Sequence, residues 1–288
     1  MTKCNIRLLA FIILAAIFFV ACKKTDESKY TSYKQFINLK IGKYIIYQLD
    51  SIVTISFGES LITKSYFIKD SISEKFFDNQ NRESFKIFRF QYDSARKVWN
   101  STNTFYMTPL STKLEYVEDN NRYTKLVNPV TEENAWLGNS YIGNNIFSFS
   151  NFSTWNFFYK NINQPAQIGN LKFDKTITVV QYDSADNKPF FDPKNYYQYN
   201  KSYEIYADTI GLVYKDLLSW EYQAFRDITN CQLIKPKTGG RDTSFVDCTL
   251  LNCDSLRNLP NYSVLCDTSL TKFYYNGYGI RQKIISHN

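Results

Sequence analysis

Apolar and polar positions alternate with a period of two through most of the chain after residue 43. Leu114 and Tyr116 stand against Glu115 and Glu118, and Tyr203, Ile205 and Ala207 stand against Glu204 and Asp208. In a strand, successive side chains point to opposite faces, so this spacing predicts half-buried β-strands. The clearest runs are "KYIIYQLDS", "KSYFIKDSI", "SFKIFRFQYDS", "TKLEYVEDN", "RYTKLVNPV", "KTITVVQYDS", "KSYEIYADTIGLVYKDL" and "GYGIRQKII", bounded by Asn, Asp, Ser and Gly. The apolar phase flips at Ile87–Phe88, which predicts a β-bulge or a strand buried on both faces. It shifts again near Gly211. No long amphipathic helix emerges; "SLITKSYFI" and "DLLSWEYQAF" are the stretches with most helical character. The expected fold is mainly β: an antiparallel curved sheet or open barrel, or else a sandwich, formed by residues 35–288 as one domain.

Turns need an unusual supply here, because the chain has only 10 Gly. Asp50-Ser51, Asp93-Ser94 and Asp183-Ser184 each follow a strand-like run. Their side chains suit turns, in which Asp and Ser bond nearby backbone amides. That reading is preferred to three calcium-binding corners.

The first residues follow a different pattern. Met1–Arg7 carries Lys3 and Arg7 and no acid, and Leu8–Ala21 is then apolar without a break. Those fourteen residues fall short of the roughly 20 that cross a bilayer as a helix. A basic start and a short apolar core predict a signal peptide over residues 1–21. The sequence Phe19-Val20-Ala21-Cys22 resembles a bacterial lipobox, with Phe19 where Leu is commoner. The resemblance implies that Cys22 receives a diacylglycerol and becomes the first residue of the mature chain. Several acyl chains, at about 0.8 kcal/mol per buried CH₂, anchor durably where one is marginal. Residues 22–34, the lipidated Cys and the polar run "KKTDESKYTSYK", then read as a tether reaching about 40 Å.

Charge changes the picture little. Loss of residues 1–21 leaves 32 basic and 27 acidic side chains, a net +5, with no run of five like charges. A diffuse positive charge favours an anionic lipid surface, whereas a nucleic-acid site requires clustering on one face. No nucleic-acid partner is expected. The 23 Phe and 23 Tyr supply ample apolar surface for a core.

The pieces "LKIGKYIIYQLDSI", "FDNQNRESFKIFRF", "NRYTKLVNPV", "WLGNSY" and "YEIYADTIGLVYKDL" lie between Phe36 and Lys215. This stretch resembles a family of Bacteroidota outer-membrane lipoproteins without an assigned activity. The resemblance implies a β-rich body held at the outer membrane, facing the periplasm or the cell surface. Only Cys22 acquires a role from it.

Cys231, Cys248, Cys253 and Cys266 are the remaining thiols of the mature chain. Their spacing lacks paired C-x2-C knuckles, and His287 is the only histidine, so a zinc site is not expected. Export to an oxidising compartment predicts two disulfides within a Cys-containing insertion, residues 226–270. Three pairings are open; the favoured one is nested, Cys231 with Cys266 and Cys248 with Cys253.

Candidate chemistry is sparse. His287, one residue from the end, is a poor general base. No phosphate-cradling glycine loop, nucleophile elbow or H-E-x-x-H is present, and no cofactor, metal or catalytic residue is expected. Glu115 with Glu118, and Glu132 with Glu133, read as solvated edges. Trp99, Trp136, Trp155 and Trp220 are candidate ligand-stacking aromatics, although large aromatics more often fill cores. The expected function is non-catalytic: a binding or envelope-structural module whose partner is an envelope protein, a glycan or a lipid. The alternatives are a carrier of lipid or another hydrophobic ligand in a β half-barrel, and a glycan-acting hydrolase using paired carboxylates.

Overall fold

Runs rich in Ile, Val, Tyr and Phe satisfy their backbone groups by pairing side by side. The computed structural model describes residues 30–58, 60–143, 152–186, 197–227, 230–237, 240–246, 263–267 and 270–288. Six strands form a first meander: β1 (Tyr44–Ile55), β2 (Ser60–Phe77), β3 (Glu83–Asp93), β4 (Val98–Pro109), β5 (Lys113–Glu118) and β6 (Asn121–Val127). Five more form a second: β7 (Ala135–Leu137), β8 (Asn156–Ile168), β9 (Leu171–Asp186), β10 (Tyr197–Ala207) and β11 (Gly211–Asp227). β12 (Asn230–Lys237), β13 (Gly240–Val246) and β14 (Ser263–Asp267) make a separate three-stranded sheet. The last strand, β15 (Leu270–His287), lies between β11 and β1 and joins the meanders.

The result is one antiparallel sheet of twelve strands, in the order β6-β5-β4-β3-β2-β1-β15-β11-β10-β9-β8-β7. It curls into a nearly closed barrel with one unsealed seam. Closure depends on local twist, which β-bulges increase. Register shifts occur at Ile46/Tyr47, Ile72/Glu74, Arg89/Phe90, Leu114/Glu115 and Ile205/Tyr206. The mainly β, antiparallel expectation holds, and of the shapes left open the barrel is the one formed.

The edge strands of the barrel are β6 and β7. Thr124 N–H donates to Gly138 O at 2.8 Å, and the Trp136 indole N–H donates to Thr124 O at 2.9 Å. The Tyr159 hydroxyl donates to Val127 O at 2.7 Å and accepts from Val127 N at 2.8 Å. Side chains thus occupy backbone positions that a paired strand would otherwise satisfy, which protects an exposed edge.

Several local expectations change. "SLITKSYFI" and "DLLSWEYQAF" are strand, within β2 and β11. The run from Tyr203 to Leu217 is a hairpin, its turn at Asp208–Ile210 and Gly211 at φ +117. Of the three Asp-Ser pairs, only Asp93 ends a strand in a turn, accepting from Ala95 N and Arg96 N at 2.9 and 3.0 Å. Asp50-Ser51 and Asp183-Ser184 lie within β1 and β9. β3 keeps a regular phase at Ile87–Phe88: Ile87 points inward, while Phe88 and Phe90 form a half-buried outer row, rings 6.4 Å apart. The last residues of the polar tether run belong to the folded body. Val130 N donates to Thr31 O at 3.0 Å, and Tyr33 is fully buried, its hydroxyl donating to the carbonyls of Leu110 and Lys113.

Three apolar clusters fill the fold. The largest joins Tyr33, Phe36, Leu114, Leu126, Phe157, Tyr159, Ile177 and Val179. A second gathers Tyr47, Ile168, Phe173, Val213 and Ile284, and a third Ile72, Phe85, Ile87 and Phe105.

Candidate functional site

A cavity of about 130 Å³ lies inside the barrel, between these clusters. Strand alternation decides its lining. Tyr47 of β1, Asp70 and Ile72 of β2, Ile87 and Arg89 of β3, and Phe105 and Met107 of β4 all point inward. Tyr116 and Glu118 of β5, Lys125 of β6, Glu204 and Tyr206 of β10, Lys215 of β11 and Gln282 of β15 complete the polar side. Exposed His287 and Asn288 also line it, beside Lys43, so the cavity opens to the surface at that end.

The charged groups are arranged in pairs. Arg89 donates to both oxygens of Asp70, Nε at 2.7 Å and Nη2 at 2.8 Å. A second arm lies 3.6 Å from Glu118, and the guanidinium stands 5.2 Å over the Phe105 ring. Glu118 also accepts from Asn103 at 2.9 Å and from the Tyr116 hydroxyl at 2.7 Å. Lys125 crosses the seam to Glu204 at 2.7 Å, and the Tyr206 hydroxyl donates to the other oxygen of that carboxylate at 2.6 Å. Burial pushes the hydroxyls of Tyr47, Tyr116 and Tyr206 well above the ordinary tyrosine range, so all three stay protonated. Burial alone would raise the Glu204 carboxyl. The Lys125 and Lys215 charges and the two donated hydrogen bonds outweigh it and hold the carboxyl at about 2.

Two donors in the cavity differ from the rest. No acceptor lies within bonding distance of the Lys215 ammonium among the described residues. Burial, reinforced by repulsion from Lys125, lowers its pKa, against attraction from Glu204 and Glu118. The side-chain amide nitrogen of Gln282 is buried without a hydrogen-bond partner. It approaches the Tyr47 hydroxyl, whose own proton goes to Leu212 O at 2.9 Å, without reaching bonding geometry. Lys215 and Gln282 are direct cross-strand partners on β11 and β15.

Sequence pointed to none of these residues as a binding site; it read Glu204 and Glu118 as solvent-facing, and both readings are corrected. Glu204 belongs to the inner face of β10, not the wet one, and is 1 % exposed. Glu115 and Glu118 are not solvated edges. Glu115 is buried on the outer face of β5 among Arg82, Lys113 and Arg122, at 3.0, 2.7 and 2.7 Å. Glu118 shares the Tyr116 face and lines the cavity. Glu132 and Glu133 are exposed, as expected. His287 ends β15 in register with Ile45, and its side chain is exposed.

The tryptophans do not line the cavity. Trp155 and Trp220 are buried. Trp136 bridges the seam through its bond to Thr124 and packs on Phe157 and Tyr159 at 5.9 and 4.8 Å. Half-buried Trp99 lies outside the barrel wall, 5.2 Å from Tyr92, with the Lys69 ammonium 5.0 Å from its ring. Cys22, Cys248 and Cys253 lie outside the described residues. The β12–β14 register sets Cys231 directly opposite Cys266. Compared with protein-family models, with curated proteins and with solved structures, the chain has no match in any of the three.

Proposed function

We propose that this protein is a lipid-anchored envelope protein that binds a small amphiphilic molecule inside its barrel, without chemistry. The observation that carries this reading is the cavity itself: apolar walls from Ile72, Ile87, Phe105 and Met107 beside a cluster of converging polar groups. Concave sites with apolar walls and a few placed polar groups are the usual form of small-molecule sites. The volume matches a modest ligand, since a cavity of roughly 150 Å³ holds a benzene ring.

Paired-carboxylate hydrolysis receives less support. A general acid needs a carboxyl whose pKa is raised, and Glu204 is held ionised by its lysine neighbours.

Lipidation at Cys22 places the barrel at the outer membrane, on its periplasmic or surface side. Labelled palmitate enters the wild-type chain and not Cys22→Ala; labelling of the variant removes the anchor from this reading. The opposed Cys231 and Cys266 suit a disulfide, because cross-strand Cα atoms sit about 4.5–5.5 Å apart. Peptide mapping without reduction recovers the linked pair, and free thiols at both positions refute it.

The cavity is tested with 1-hexanol, a neutral probe. Added to the full-length chain in lipid nanodiscs, it shifts the methyl resonances of Ile72, Ile87 and Met107 saturably. Ile87→Trp, which fills the space, abolishes the shift. Absence of any saturable shift in the wild-type protein sinks the proposal.

A further inference from the structure

Lys215 stands at the centre of a row that crosses three strands. It faces Glu204 on β10 and Gln282 on β15, both directly opposite it in register. Cross-strand partners hold their Cβ atoms about 4.5–5.5 Å apart on one face of a sheet, and all three residues line the cavity. Glu204 attracts Lys215 through space without a hydrogen bond to it, since one oxygen is engaged by Lys125 and the other by Tyr206, at 2.7 and 2.6 Å. The row therefore presents two adjacent donors, an ammonium and an amide N–H₂, with no acceptor bonded to either.

Such a pair is costly to leave alone. The Gln282 N–H₂ is buried without an acceptor and the half-buried Lys215 ammonium has none bonded to it, so both lack bonds that water would supply in full solvent. The rest of the cavity shows that the fold is able to satisfy its polar groups, since Asp70, Glu118 and Glu204 each have two or more donors or cations around them. The unmet demand is local, and it lies beside an apolar wall.

We propose that Lys215 and Gln282 form a carboxylate clamp, and that the ligand of the barrel is a small monocarboxylate with an apolar body. This rests on the cavity being a binding site. One ammonium without a hydrogen-bonded acceptor suits one anionic oxygen, and Lys43 at the mouth adds a further positive charge. Two donors side by side match the two oxygens of a planar carboxylate. Ile72, Ile87 and Met107 take the apolar body, and the opening beside Lys43 and His287 admits it. The ligand's carboxylate completes the hydrogen bonding that the protein leaves open, so binding is selective for anions over their neutral and cationic isosteres.

Hexanoate, 1-hexanol and hexylammonium test this in full-length protein carried in nanodiscs, with empty nanodiscs as the blank. Hexanoate binds at least about tenfold more tightly than 1-hexanol, as a charge-assisted bond to a desolvated lysine warrants, and hexylammonium binds more weakly than either. Lys215→Met weakens hexanoate by about tenfold or more and Gln282→Leu by about threefold, while 1-hexanol changes by less than about twofold in both. Unchanged 1-hexanol binding shows that each variant keeps its fold. Equal binding of hexanoate and 1-hexanol to the wild-type protein, which needs no variant, overturns the clamp and leaves the cavity reading standing. Hexanoate binding that survives Lys215→Met intact also overturns it. Failure of all three probes removes the cavity reading and the clamp together.

Discussion

Glu115 on the outside of the barrel and Glu204 on the inside are both almost wholly buried, and both are ringed by cations. Their surroundings differ in one respect. Around Glu115, the side chains of Arg82, Lys113 and Arg122 all make the contact and all reach water, at 19, 26 and 35 % exposure. Around Glu204, Lys125 makes the contact, but Lys215 faces the cavity without an acceptor. The outer knot is complete and serves to tie β5 to its neighbours. The inner one leaves a donor without a bonded acceptor, and it is this incompleteness that supports the proposal of a ligand there.

Removing the inner carboxylate breaks this contrast most severely. Glu204→Ala leaves half-buried Lys125 and Lys215 without the carboxylate between them, which costs about 3–5 kcal/mol and shows as a large fall in the urea midpoint. Acid reaches the same group. Its folded pKa, about 2, lies below the ordinary 4.5, so its contribution is complete above pH 4.5. That contribution disappears as pH falls toward 2, a loss of about 3 kcal/mol that Glu204→Gln does not show.

Glu115→Ala costs less, about 1–3 kcal/mol, because its three cations can turn into solvent. An equal or larger loss than Glu204→Ala would erase the difference between the two sites. Lys125→Met tests whether Lys215 can substitute for it, since Lys215 stands opposite Glu204. The double variant Lys125→Met/Lys215→Met should exceed the sum of the single losses by about 1–2 kcal/mol in a thermodynamic cycle.

The smallest effect is expected from Lys215→Met alone: no loss of stability beyond about 0.5 kcal/mol, and a gain at neutral pH. The sign follows from its lowered pKa. The unfolded chain holds that proton more tightly, so the wild-type protein gains stability as pH rises through the folded pKa toward 10.5. Lys215→Met loses that part of the pH dependence.

Much of the fold was legible because its strands are long and their phases clear. "KTITVVQYDS" lies wholly within β9, and "SFKIFRFQYDS" lies within β3 except for its last residue, Ser94, which begins the turn. The choice of barrel over sandwich was not legible, since closure depends on β15 returning to lie between β11 and β1. The site was hidden by the same alternation that revealed the strands. A charged residue between apolar neighbours reads as outward-facing, and Glu204, flanked by Tyr203 and Ile205, follows that rule in sequence and breaks it in space. Arg89 shares the phase of buried Ile87 and was a usable signal. Gln282 offered none, because its significance lies in the strand that happens to face it.

The grip of the fold on Thr31 and Tyr33 has a consequence for where the barrel rides. On the proposed anchorage at Cys22, the chain length between it and the fold, residues 23–30, would allow a separation of at most about 29 Å. The body would then stay within that distance of the headgroups, and under the same proposal an amphiphile leaving the lipid would travel only that far to meet it.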